Sequence, residues 1–196
     1  MRSWLLCPAT AQVLLGLALL TWLITPPIRH LLEAGMGRHM LLQFPLGMLA
    51  GALLAASISQ GARAGIARWN AHGISGLVLV AVALSLLMLP RLLDLAVRDA
   101  TIEAGKFVGL LMAGAALRLS WHSAGLVVQG FFLGNVLPMM AVVGQLYIDS
   151  PLRLCNAYLL DDQVRLGQWL VVCAALLALI WLGHTTWRLV WRESAL

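Results

Sequence analysis

The sequence predicts an all-α, polytopic transmembrane helix bundle of about six spans. Three observations carry that expectation. Hydrophobic residues fill 61% of the 196 positions and charged residues only 11%, whereas a soluble domain runs at roughly 45–50% apolar and about 25% charged. Several apolar runs approach the ~20 residues that a helix needs to cross a bilayer. Tryptophan falls where such runs end: Trp4, Trp69, Trp121, Trp187 and Trp191 on one side, Trp22 and Trp169 on the other, with Trp181 alone deeper. Indole rings favour the headgroup level, so this distribution fits six crossings.

The composition excludes a disordered chain and an ordinary soluble enzyme. The formal charge of +5 comes from 13 basic residues. Most of them flank apolar runs, so they are read as headgroup anchors and not as a nucleic-acid surface. Cys7, Cys155 and Cys173 are widely spaced and form no CxxC pair, which implies no disulfide framework.

Span 1 is expected at about Thr10 to Thr25. It resembles a signal peptide in length, but no small-x-small cleavage site follows, so it is kept as a span. Span 2 is expected at about His39 to Ser57. Span 3 runs about Gly73 to Leu89, with Pro90 at its exit. The stretch from Lys106 to Tyr147 would be about 63 Å long as one helix, twice the core of a bilayer. It must fold back, and the polar break Arg118-Leu119-Ser120-Trp121-His122-Ser123 marks the place. Span 4 is therefore about Glu103 to Leu119 and span 5 about Gly125 to Tyr147. Span 6 is about Val164 to Val190. The chain reads as a single membrane domain over residues 1–196, without internal repeats.

Six spans place both termini on one face, side A. Arg2, Arg63, Arg68, Arg118, Arg188 and Arg192 belong there, and the other basic residues to side B. The near-equal split leaves orientation open by the positive-inside rule; side A is taken as cytoplasmic. Gly47-x3-Gly51 and Gly130-x3-Gly134 are expected to bring helices close. Asn135 and Pro138 inside span 5 read as a packing hydrogen bond with a kink, or as part of a ligand cavity.

The topology sorts the histidines. His30 and His39 lie toward side B, and His72, His122 and His184 toward side A. Met36, His39 and Met40 share a helical face through i, i+3 and i+4 spacing. Met139 and Met140 fall in the side B half of span 5, Met88 near the same end of span 3, and Cys173 about two turns into span 6. Thioether and imidazole donors suit copper(I); the same methionines also read as adaptable core filler. On side A, two of His72, His122 and His184 could ligate a b-type haem, with Arg118 on a propionate. Each also reads as an interfacial or hydrogen-bonding residue. Asp161-Asp162-Gln163 precedes span 6 and reads as a helix cap, or as a polar lid on the side B site. No HExxH, GxSxG, Walker or dinucleotide fingerprint occurs, so no catalytic assignment is made.

Arg38-His39-Met40-Leu41-Leu42-Gln43 resembles the histidine-methionine-glutamine signature of the CtaG-like integral membrane proteins. Asp162-Gln163-x3-Gly167 with Trp169 is similar to that family's later Asp-Gln-Gly-Trp stretch. Phe44 stands where the family usually has a second histidine. The resemblance implies a role in assembling a caa3-type cytochrome c oxidase. It implies copper handling at the outer face of a bacterial cytoplasmic membrane, with an oxidase subunit as partner. His39, Met36, Met40 and Asp162 would then face outward. Two function classes follow. One is a non-enzymatic copper-handling assembly factor. The other is a structural or b-haem electron-transfer subunit of a membrane redox complex. A small-solute transporter is a third, which no charged pathway recommends.

Overall fold

The computed structural model describes residues 8–155 and 157–193, which are helical and without strands; Arg2, Trp4 and Cys7 lie outside them. Ten α-helices follow in order: α1 Ala9–Ile24, α2 Pro26–Glu33, α3 Met36–Arg38, α4 Phe44–Leu54, α5 Gln60–Trp69, α6 Ile74–Leu87, α7 Pro90–Arg98, α8 Ala100–Trp121, α9 Leu126–Asp149 and α10 Leu160–Glu193. A π-helical turn, His39–Gln43, joins α3 to α4, and a 3-10 turn, Ala55–Ser57, closes that stretch.

Four stretches are long and apolar enough to cross a membrane: Met36–Ser57, Ala100–Trp121, Leu126–Asp149 and Leu160–Trp191. The count reaches six if each of two bent pairs makes one span, α1 with α2 at 70° and α5 with α6 at 85°. The expected bundle is therefore present. Span 1 has the expected 16 residues of straight helix, span 3 is shorter than expected at 14, and span 6 is longer, as the 34 residues of α10. Proline explains the first bend: Pro26 opens α2, and Thr25 before it leaves the helical region with ψ 131°. Pro90 behaves in the same way. It follows the end of α6, as expected of the exit of span 3, and opens α7, whose Leu93, Asp94 and Ala96 turn inward.

Glycine governs the second bend. Gly73 holds φ +71°, and a Cβ there would lie 2.5 Å from the Ser120 carbonyl oxygen. Buried Asn70 beside it donates to Ser120 Oγ at 2.8 Å and accepts from Gly76 N at 3.1 Å. The α5–α6 corner is thus fastened to the end of α8. It also shows that residues 72 and 122 share one end of the bundle, as the fold-back requires. The fold-back itself spans residues 122–125, where Gln129 Nε2 donates to the carbonyls of Trp121 and Ala124 at 2.8 and 2.9 Å.

Two close helix crossings hold the bundle. In α4 and α8, Gly51 lies against the backbone of Leu111, and Gly114 against the Met48 carbonyl, leaving no space for a Cβ. In α9 and α10, Gly144 and Gly167 face one another, and a Cβ on Gly144 would sit 2.7 Å from the Gly167 oxygen. In lipid, where apolar burial between helices gains little, such backbone approach supplies the packing. Gly51 was expected in this role. Gly134 contacts nothing, while Gly130 receives the Trp181 ring. The α4–α8 pair also carries α1 and α6, and α9 packs chiefly on α10; α10 against α3 and α6 against α9 are the main links between the two groups.

At side A, Arg118 donates to the Ala52 carbonyl and to Gln12 Oε1, both at 2.7 Å. Arg63 donates to the Ala55 carbonyl at 3.0 Å. These guanidiniums satisfy carbonyls that the end of a helix leaves without intrahelical donors. At the other end of α8, Asp99 Oδ1 accepts from Thr101 N at 2.7 Å and Ile102 N at 3.3 Å. Those two amides hold its carboxyl below the ordinary range.

Candidate functional site: a buried polar centre at the side B end

The π turn builds the site. Pro45 supplies no N–H to the carbonyl of Leu41, and a π turn, whose bonds reach the fifth residue, accommodates that loss. The wide turn brings His39 and Gln43 to the inner face together, both at 0% exposure, beside Met36, Met40 and Phe44. From α8, Lys106 reaches the same point at 3% exposure.

Lys106 Nζ lies 2.7 Å from Glu33 Oε1, 3.1 Å from Gln43 Oε1 and 3.3 Å from His39 Nε2. An ammonium has three donors, and here three acceptors meet them. Gln43 Nε2 donates to Glu33 Oε1 at 3.4 Å. Glu33 also faces Arg29, with Oε2 3.8 Å from Nε, and Arg29 Nη1 bonds Glu103 Oε2 at 2.9 Å. Two acids and two bases thus alternate from the rim inward, and their charges cancel.

His39 continues the chain outward. Its Nδ1 is 2.6 Å from the Tyr158 hydroxyl, and its ring meets Phe44 and Tyr158 edge-on at 5.5 and 6.2 Å. The ammonium facing Nε2 assigns the lone pair to that nitrogen, so the proton sits on Nδ1 and is donated to the tyrosine oxygen. The loop 150–159 fixes Tyr158. Arg153 Nε donates to its carbonyl at 2.9 Å, Ala157 N to Asp94 Oδ1 at 3.0 Å, and Cys155 Sγ to the Pro90 carbonyl at 3.6 Å. Gln163 Oε1 accepts from Leu154 N at 2.8 Å, and its Nε2 donates to the carbonyls of Tyr147 and Leu152. Burial, with Asp94 near it, pushes the Cys155 thiol up to about 12. Burial first, then the Glu33 and Cys155 charges, raises the Tyr158 phenol above its ordinary value.

The expected site residues distribute unevenly. Met36 and Met40 lie wholly inside a cluster with Phe44, Tyr147, Cys155 and Tyr158, and Met48, Met88 and Met140 pack against it. Met139 turns elsewhere, accepting from Ser85 Oγ at 3.1 Å. Cys155, and not Cys173, is the cysteine in the cluster. His72, His122 and His184 are each exposed, and among the described residues no hydrogen bond or ring contact joins them. Arg118 is committed to Ala52 and Gln12. Asn135 Nδ2 bonds Phe131 of its own helix at 2.7 Å, while Pro138 lines an apolar groove of about 410 Å³ between α9 and α10. Asp161 and Asp162 fall in the first turn of α10, where acids suit the helix dipole, and Gln163 staples the loop before it. Among the described residues no three His, Cys, Asp or Glu side chains converge as a metal group.

Sequence reasoning passed over Lys106, Glu33 and Tyr158. A signal for the first was available: Lys106 is the chain's one lysine beside 12 arginines, and it stands inside an apolar run. Fold and site together define a polytopic membrane helix bundle with a charged, hydrogen-bonded centre buried at one end. Comparison with protein-family models, with curated proteins and with solved structures finds no match to the chain.

Proposed function

We infer that the chain is a membrane-embedded, non-enzymatic factor that holds copper(I) as cargo during assembly of a respiratory oxidase or related membrane metalloenzyme. One observation carries this reading. Met36 and Met40 share one buried cluster with the Cys155 thiol, Met48, Met88 and Met140 pack against it, and it borders His39 through Phe44 and Tyr158. Thioether sulfur and imidazole nitrogen are donors of the class that copper(I) prefers.

The donor set fits a transfer role better than a storage role. Lys106 sets a positive charge at His39 Nε2, so a cation is excluded from that nitrogen. Nδ1 would take copper(I) only by releasing its proton and its hydrogen bond to Tyr158. The shell would be mostly thioether, neutral and loosely completed, and such a shell exchanges its ion readily. The oxidase as recipient comes from the CtaG-like resemblance.

The test is copper content and copper(I) competition with a chromophoric chelator, on anaerobically purified protein. Wild type is expected to bind copper, and His39→Ala and the Met36→Leu, Met40→Leu double variant to lose most of it. A copper-free wild type, or unchanged content in both variants, defeats the reading. The b-haem alternative draws no comparable grouping, since His72, His122 and His184 are exposed and, among the described residues, make no contact with one another. A reduced-minus-oxidised spectrum with a haem band would restore it.

A further inference from the structure

A second cavity lies outside the polar centre, where α3 and the π turn meet the first turns of α10. It measures about 370 Å³ and is open to the outside. Arg38 and Arg165 line it with Asp162, and both arginines are exposed. Among the described residues the ion pairs involve Arg29, Lys106, Glu33 and Glu103. Asp162 is therefore not within ion-pair distance of either guanidinium, and the cavity carries a net positive charge. Its remaining wall is apolar and outward-facing, with Leu42 50% and Trp169 59% exposed. Gly37 lines the same cavity, and nothing approaches within 4 Å of where its Cβ would be.

We propose that this cavity binds the headgroup of one glycerophospholipid, its phosphodiester on Arg38 and Arg165 and its acyl chains along Leu42 and Trp169. Guanidinium pairs favour phosphate oxygens through forked, charge-assisted bonds. Basic pockets between membrane helices take anionic headgroups, and tryptophan marks the headgroup depth. The apolar wall beside the charges selects an amphiphile over a free anion. Asp162 adds a second preference. It accepts hydrogen bonds, so a headgroup with donors, the ammonium of ethanolamine or the hydroxyls of glycerol, satisfies it. Choline carries no donor and does not.

Native mass spectrometry of the purified full chain tests this, with phosphatidylglycerol, phosphatidylethanolamine or phosphatidylcholine added. Wild type is expected to retain one phosphatidylglycerol or phosphatidylethanolamine at least tenfold more than phosphatidylcholine. Arg38→Gln with Arg165→Gln is expected to abolish that excess. Gly37→Leu fills the cavity while keeping both charges, and is expected to abolish it too; if the arginine variant does not fold, this variant decides. Millimolar inorganic phosphate is expected to leave the lipid in place. Equal retention of the three lipids, retention unchanged in Gly37→Leu, or displacement by phosphate overturns the proposal.

Discussion

The Lys106 ammonium lies 2.7 Å from the Glu33 carboxylate, with the two side chains 2% and 7% exposed, and 73 residues of chain separate them. The pair therefore joins α2 to α8 inside the protein, out of reach of both water and lipid. A buried pair is costly to break because the survivor is left charged and unpartnered.

Lys106→Met is expected to destabilise the protein by about 3–5 kcal/mol. Adding Glu33→Gln should recover part of that loss, since the stranded charge is removed. Denaturant unfolding in detergent measures both. A single-variant loss under about 1 kcal/mol would count against a tight pair.

Tyr158→Phe deletes the partner of His39 Nδ1 and leaves a buried donor unmet, at a cost of about 1–3 kcal/mol. It also loosens the 150–159 loop. Amide exchange in that loop should quicken more than in α4 or α8. Uniform exchange across the three would contradict the anchoring role.

Stability should decline at alkaline pH. The Cys155 thiol titrates from an ordinary 9.0 up to about 12 in the fold, and the Tyr158 phenol is displaced in the same direction. Both are acids whose neutral form the fold favours. Their contribution is complete below about pH 9 and is lost as pH rises from there toward 12. Cys155→Ala should flatten the decline, and maleimide should label the wild-type thiol only slowly at pH 8. Rapid labelling would be inconsistent with a sealed thiol.

Gly114→Ala places a methyl on the Met48 carbonyl and should cost about 1–3 kcal/mol by forcing α4 and α8 apart. Gly105→Ala, in the same helix with nothing within 4 Å, should be neutral or mildly stabilising. Equal effects at the two positions would remove the crossing from the account.

The helices were legible because lipid burial is written locally. Apolar runs, the break near Trp121 and the proline at 90 mark out the elements without knowledge of any partner. The site was legible only on one element. His39 and its neighbouring methionines share a helical face, so spacing finds them. Glu33, Lys106 and Tyr158 come from three other parts of the chain, 67 to 119 residues from the groups they meet in two of the bonds. No periodicity encodes such a meeting. Glu33 drew no assignment, and Lys106 served only to open the stretch that must fold back. Gln163 was grouped with the two acids beside it because its loop partners lie on either side of a turn that the sequence shows only as polar.

The uneven grip between helices has a mechanical consequence. Gly51 and Gly114 lock one block, Gly144 and Gly167 lock the α9–α10 hairpin, and the buried cluster of Met36, Met40, Leu110, Tyr147 and Leu170 fills the seam between them. The hydrogen bond from His39 to Tyr158 crosses that seam as a latch, and Arg38 and Arg165 line one cavity across it. A change at either place would be felt at the other through the tilt of a single hairpin.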